Sequence, residues 1–270
     1  MQASMIGSIF SNLLLVLGCC FFFGGLKYKE QKFESMVATS NMGLLALSAI
    51  AMVLPTQCSA YYELEEDDSL GISRIAAVFL IIMYLQLLVF QLYTHADLFD
   101  DEGEEETEMS FSAAIGGLIG ITAIITKLSE YLVASIDGFC VQSGMSRTFV
   151  GLIILPIVGN AVEHATAVSV AMKNKMDLAM GVAVGSSVQI SLFVAPLTVL
   201  IGWGVGQPMS FNFPHFELIL FILSVVVVSI LVSNSKSNWL EGSMLITTYI
   251  LIAVGFWYEK VVDYEKHDDL

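Results

Sequence analysis

Charge is what this chain has least of. Only 14% of its 270 residues are Asp, Glu, Lys or Arg, where a soluble domain carries about 25%. With 56% hydrophobic residues and a mean hydropathy of +0.77, the composition excludes a water-soluble globule. Basic residues are scarcer still, 11 against 26 acidic, and no cluster of them could neutralise a phosphate backbone, so nucleic acid is not an expected partner. The four cysteines (Cys19, Cys20, Cys58, Cys140) have neither disulfide nor zinc spacing and read as apolar packing residues. There is no H-E-x-x-H pair and no calcium loop of the D-x-D-x-D-G type. No charged segment with a cleavage site follows Met1, so no signal peptide is expected.

What the chain does have is long apolar runs. Eight candidate spans are read at about 2–25, 36–58, 72–94, 110–136, 148–172, 178–203, 214–233 and 240–258. Each is roughly 20 residues or more, enough to cross a hydrocarbon core of about 30 Å as a helix. The expected class is an all-α, polytopic protein of the lipid bilayer. An even number of spans puts both termini on one side. Lys27, Lys29 and Lys32 follow the first span, Lys173 and Lys175 the fifth, and Lys236 the seventh. These loops share a side, and lysine excess marks it as cytosolic. Arg74, Arg147, Lys260 and Lys266 fall opposite, with the termini.

The charges that remain are placed unevenly. Eight acidic residues crowd Asp97 to Glu108 in the connection 95–109, which reads either as a solvated linker or as an acidic collector of divalent cations at the cytosolic entrance. Lys127 and Glu130, three apart near the lumenal end of the fourth span, are expected to pair and snorkel. Glu217, just after Pro214 and His215, is expected to be solvated at the interface. Trp203, Trp239, Trp257 and Tyr258 sit at span ends, as an interfacial aromatic belt requires.

One span carries polar residues at its centre: FVGLIILPIVGNAVEHATAVSVAM, Phe149 to Met172. Hydrocarbon gives an ionisable side chain nothing to bond to, so Glu163 and His164 mark a functional site unless a neighbouring helix satisfies them. Asn160 and Glu163 share a helical face. Pro156 is expected to kink the helix and Gly159 to admit a close backbone.

An internal repeat is also legible. The first span, QASMIGSIFSNLLLVLG, and the sixth, LAMGVAVGSSVQISLFVAPLTVLIGW, each carry a Gly-Ser pair, Gly7-Ser8 and Gly185-Ser186. Ser8 and Ser11 share a face, as do Ser186 and Gln189. Such serines commonly tie helices together. Two copies separated by an odd number of spans point to inverted repeats, which place an ion site at the membrane midplane.

In these stretches the chain resembles the calcium/proton exchangers of the cation/calcium exchanger superfamily. The likeness is carried by GNxxEH from Gly159 to His164, by KNKMDLAMGVAVGSSVQISLFVAP from Lys173, by IGW at Ile201, and by SNWLEG near the C-terminus. At the front, Gly24-Gly25 and Gln31-Lys32-Phe33 match the end of the family's first repeat. The acidic connection lies where that family has an acidic segment. In the second repeat GNxxE begins 26 residues before the Gly-Ser pair. The equivalent motif of the first repeat would therefore fall before Met1, and the chain is expected to lack the start of that repeat. Residues 1–94 would be the remainder of the first repeat, 95–109 a linker, 110–258 the second repeat and 259–270 a polar tail.

The resemblance implies antiport of cytosolic Ca²⁺, or another divalent cation, against protons from an acidic lumen such as the vacuole. It implies Glu163 as the carrier of cation or proton. Asn160, Gly159, Ser186, Ser187 and Gln189 would surround it, and Ser8, Ser11 and Asn12 would line the facing half. His164 reads equally as a proton partner or a packing histidine. No enzymatic activity and no cofactor are expected, since Ca²⁺ and H⁺ are cargo. Self-association is left open. The alternatives are a non-transporting fragment or assembly subunit, a passive channel, or an intramembrane metal-dependent enzyme, which would need more ligands than Glu163, His164 and Asn160.

Overall fold

The computed structural model describes residues 2–63, 65–96 and 110–267. Eight helical passes follow one another: α1 (Gln2–Lys27), α2 (Ser35–Tyr62), α3 (Asp67–Thr94), α4 (Phe111–Ser143), the broken pair α5 (Arg147–Gly159) and α6 (Ala161–Ala171), α7 (Met176–Gly204), α8 (His215–Val232) and α9 (Trp239–Tyr258 within a longer helix). The all-α, eight-span expectation holds, with boundaries moved by a few residues. The largest shift is α4, which runs seven residues past its expected end. Lys127 and Glu130 do form an ion pair, but at the middle of α4 rather than towards one end. Both of their side chains are exposed on a helix that packs little against the rest.

The core gathers around α1. Ile9, Phe10, Leu13, Leu14, Leu17, Cys20 and Phe21 are all fully buried, so a span with apolar residues on every side is enclosed by its neighbours. α1 meets α9 at a crossing made by glycines. A Cβ on Gly25 would stand 2.2 Å from the Trp239 backbone nitrogen, and one on Gly242 would stand 2.2 Å from that of Phe22. Backbones that close leave no room for side chains, which is how helices associate where lipid removes the hydrophobic drive. At the other end of α1, a Cβ on Gly7 would lie 2.3 Å from the Leu152 carbonyl oxygen. Gly159 was expected to admit such a contact, but nothing lies within 4 Å of it. The close approaches belong to Gly7, Gly25 and Gly242.

Among the described residues four helices contain a π turn: Ser11–Val16 in α1, Phe90–Thr94 in α3, Val150–Ile154 in α5 and Ile190–Val194 in α7. In α1 and α7 the π turn begins just after the Gly-Ser pair, so the two repeats share a backbone irregularity as well as a sequence pattern.

The connections gather on two faces. On one, Gln31–Lys32 pairs antiparallel with Lys236–Ser237, Glu30 bridges Lys236 at 2.9 Å, and the Glu34 amide donates to Asp177. These three connections hold the lysines read as cytosolic, and their meeting supports the expected side-sorting. On the opposite face, the connection before α8 folds inward. Thr56 donates to the Phe211 carbonyl and accepts from the Phe213 amide, each at 3.2 Å. Ser73 accepts from the Phe211 amide, and the Gln2 amide donates to the Ser210 carbonyl. Phe211 and Phe213 are thereby buried. The reading of Glu217 is corrected: it is only 3% exposed, on the buried side of α8 with Leu218 and Phe221. A carboxylate in a first helical turn also faces the favourable end of the helix dipole. Trp203 and Trp239 lie at helix ends, Trp257 and Tyr258 close the last span within its longer helix, and Arg74 lies over the Trp203 ring. The acidic residues Asp97 to Glu108 lie outside the described residues.

Candidate functional site

The candidate site is built on a helix break. α5 and α6 meet at 56°. The expected culprit was Pro156, but it sits in the first turn of a short helical segment that follows the π turn, where its missing donor is tolerated. The chain turns four residues later, at Asn160, whose φ and ψ of −102° and 18° leave the helical region. Its carbonyl still accepts from the His164 amide at 2.9 Å and starts α6. The Asn160 side-chain nitrogen is buried and meets no partner among the described residues. A buried amide group without a partner costs about 1–3 kcal/mol, and it persists where an incoming group can satisfy it.

Glu163 lies in the first turn of α6 and is exposed on the lateral surface of the bundle, with no bonded partner among the described residues. His164 turns inward. Its Nε2 lies 3.1 Å from Ser11 Oγ in the π turn of α1, so one bond joins α6 to α1. Ser11 is fully buried and Asn12 nearly so, while Ser8 is half-buried.

The remaining expected residues divide. Ser186 and Gln189 face a separate polar cavity of about 220 Å³, lined also by Asn41, Tyr84 and Gln91 of α2 and α3. Gln189 donates to the Tyr84 hydroxyl at 3.2 Å, and the Tyr84 ring stacks on Phe193. Ser187 is fully buried and spends its hydroxyl on the Ala183 carbonyl one turn back. Among the described residues no hydrogen bond links Ser186 or Gln189 to Asn160 or Glu163. One cluster therefore comprises Asn160, Glu163, His164 and Ser11, and a second comprises Ser186 and Gln189. The pseudo-equivalent glycines differ in the same way: Gly7 is tightly packed, whereas Gly185 has nothing within 4 Å.

Sequence reading missed Asn41, Tyr84 and Gln91. Their signal was present, since each is polar within an apolar span, but nothing in the spacing tied them to Gln189 across 105 residues. Among the described residues no three His, Cys, Asp or Glu side chains converge as a metal site would require. A single carboxylate one turn beyond a broken helix, with the Asn160 amide at the break, can hold and release a hard cation rather than cage one.

A broken helix, paired π turns and a midspan carboxylate fit a polytopic membrane transporter. The chain belongs to the sodium/calcium exchanger protein family, whose profile matches residues 1–93 and 113–258. It is 42% identical to the Ca(2+)/H(+) antiporter of Synechocystis sp., covering 95% of this chain and 74% of that protein. It is 41% identical to the vacuolar calcium ion transporter of Schizosaccharomyces pombe, covering 95% of this chain and 64% of that one. The solved structure of native YfkE superposes with a TM-score of 0.79 at 36% identity, covering 95% of this chain and 74% of YfkE. The structure of the H+/Ca2+ exchanger CAX, at 14% identity and a TM-score of 0.72, shares the fold.

Proposed function

We propose that this protein is a secondary transporter that exchanges cytosolic Ca²⁺ for lumenal protons in an acidic endomembrane compartment such as the vacuole. The observation that carries this reading is Glu163, a carboxylate one turn beyond a helix break inside a membrane span. An ionised carboxylate cannot stay uncompensated in low dielectric. A proton or a divalent cation removes that cost, and the two exclude each other, which is the coupling antiport needs.

Asn160 supplies an amide at the break, and backbone carbonyls there add oxygen ligands of the kind calcium prefers. Through Ser11, His164 ties the carrier helix to the other repeat and lies next in sequence to the carboxylate, where it can pass a proton. Ser8 and Asn12 lie within a turn of Ser11 on the same span. Ser186 and Gln189, with Asn41, Tyr84 and Gln91, form a second polar chamber along the route. Ser187 serves packing. Residues 1–94 and 110–258 act as the two repeats, joined by the acidic linker 95–109.

The test is Ca²⁺ uptake into vesicles with an acid interior. Glu163→Gln keeps size and polarity but cannot alternate between proton and cation. Uptake should fall to background while membrane insertion is unchanged, and uptake at the unsubstituted rate would remove Glu163 from the mechanism.

A further inference from the structure

We propose that Gln31 is a positioning residue, which fixes the end of the Glu163-bearing helix to the opposite repeat and so sets where the carboxylate sits. The functional half of this statement rests on the carrier role proposed for Glu163; the positional half does not.

α6 has only 11 residues and is hinged at Asn160 by the break. Its other end is therefore what decides its direction. That end closes with Asn174 in the left-handed region, φ 62°, where Asn is well tolerated. The Lys175 amide reaches back to the Val170 carbonyl and the Asn174 amide to that of Ala171, at 3.1 and 3.0 Å. Two further bonds come from outside. Gln31 Nε2 donates to the Ala171 carbonyl at 2.8 Å and to Asn174 Oδ1 at 3.1 Å. Lys27 adds an exposed bond to the Met172 carbonyl at 2.9 Å.

Gln31 is well placed to hold a helix. It is 1% exposed, and its backbone is paired with Ser237 in the two-stranded clip. Its side-chain orientation is set because both neighbours of the nitrogen are acceptors. The remaining oxygen lies against Gly24, where an added Cβ would come within 2.0 Å of it. A methyl group at position 24 would expel the Gln31 amide, whereas the Ala171 carbonyl oxygen of α6 stands at an ordinary contact distance of 3.4 Å from it. Glu163 lies eight residues before Ala171, about 12 Å along the helix axis. A short rod held at a hinge and, at its other end, by a buried amide and the exposed Lys27 bond transmits displacement of the held end to its carboxylate.

The experiment is hydrogen exchange, read by mass spectrometry, on the purified chain in lipid nanodiscs. Gln31→Ala, Gly24→Ala and the double variant are compared with the unsubstituted protein. Two lost bonds predict about tenfold faster exchange across residues 167–175 in both single variants. The double variant should match Gln31→Ala alone, because the clash at position 24 requires the amide. The Ca²⁺ concentration that half-protects residues 160–166 should rise about threefold in each, while protection elsewhere stays unchanged. Unchanged exchange at 167–175, or equal loss of protection throughout the bundle, overturns the proposal. If Ca²⁺ protects nothing around Glu163 even in the unsubstituted protein, the carrier role fails, and the exchange rates at 167–175 still decide whether Gln31 holds the helix.

Discussion

Gly242→Ala adds one methyl group at the tightest crossing of the bundle. The new Cβ would stand 2.2 Å from the Phe22 nitrogen, 2.6 Å from the Gly18 oxygen and 2.7 Å from the Phe22 Cα. All three are backbone atoms of α1, so no rotamer change can relieve them. Ordinary contact needs about 3.4 Å or more, so α1 and α9 must separate by about 1 Å, which forfeits a quarter to a half of each pair's dispersion energy along the seam. Overpacking of this kind costs about 1–3 kcal/mol. Better helix propensity of Ala over Gly returns about 1 kcal/mol at most. The net expectation is a loss of up to about 2 kcal/mol, read as a lowered midpoint in detergent unfolding of the purified protein. Gly181→Ala is the control: nothing lies within 4 Å of that position, so only the propensity gain applies. If Gly242→Ala is as stable as Gly181→Ala, the crossing is not packed as described and the reading of the glycines fails.

Thr56→Val keeps shape but removes two buried bonds and leaves the Phe213 amide and Phe211 carbonyl only their mutual bond at 3.0 Å. It should cost about 1–3 kcal/mol in the same unfolding assay. Ser11→Ala removes the bond to His164, so Ca²⁺ uptake should slow several-fold while insertion is normal, and an unchanged rate would make that contact incidental. Glu30 is bonded to Lys236, which holds its carboxyl below the ordinary 4.5. The ionised form is thus favoured when folded, so the pair's contribution is complete above about pH 4.5 and fades as pH falls through the lower folded value. Glu30→Gln should remove that acid sensitivity from melting curves and lower neutral-pH stability by the same small amount, small because the pair is solvent-exposed.

How much of this was legible beforehand follows from the kind of signal each feature leaves. The passes were visible because hydrocarbon thickness imposes a length and hydropathy that local sequence must satisfy. Glu163, Asn160 and His164 stood out for the complementary reason, being polar where apolar residues are required. The bend was misplaced because Pro156 carries the stronger local signal, yet the π turn before it absorbs its missing donor and Asn160 turns the chain instead. Glu217 was read as solvated from its sequence position beside Pro214. It is buried with Leu218 and Phe221 on the inward side of α8, by tertiary packing that the residues next to it in sequence do not announce. The division of the expected site into a Glu163 cluster and a Gln189 cluster was likewise invisible, since Tyr84 and Asn41 reach Gln189 only through tertiary packing.

The central claim is coupled exchange, and the most direct measurement follows both ions at once. The purified protein is reconstituted in liposomes with an acid interior carrying a pH-sensitive dye, and external Ca²⁺ is added with a second dye reporting its entry. Coupled antiport predicts that Ca²⁺ enters as the lumen turns alkaline, that both signals vanish when a protonophore collapses the gradient beforehand, and that Glu163→Gln abolishes both together. Ca²⁺ entry that proceeds at the same rate without the proton gradient, or with no change in lumenal pH, would contradict the account.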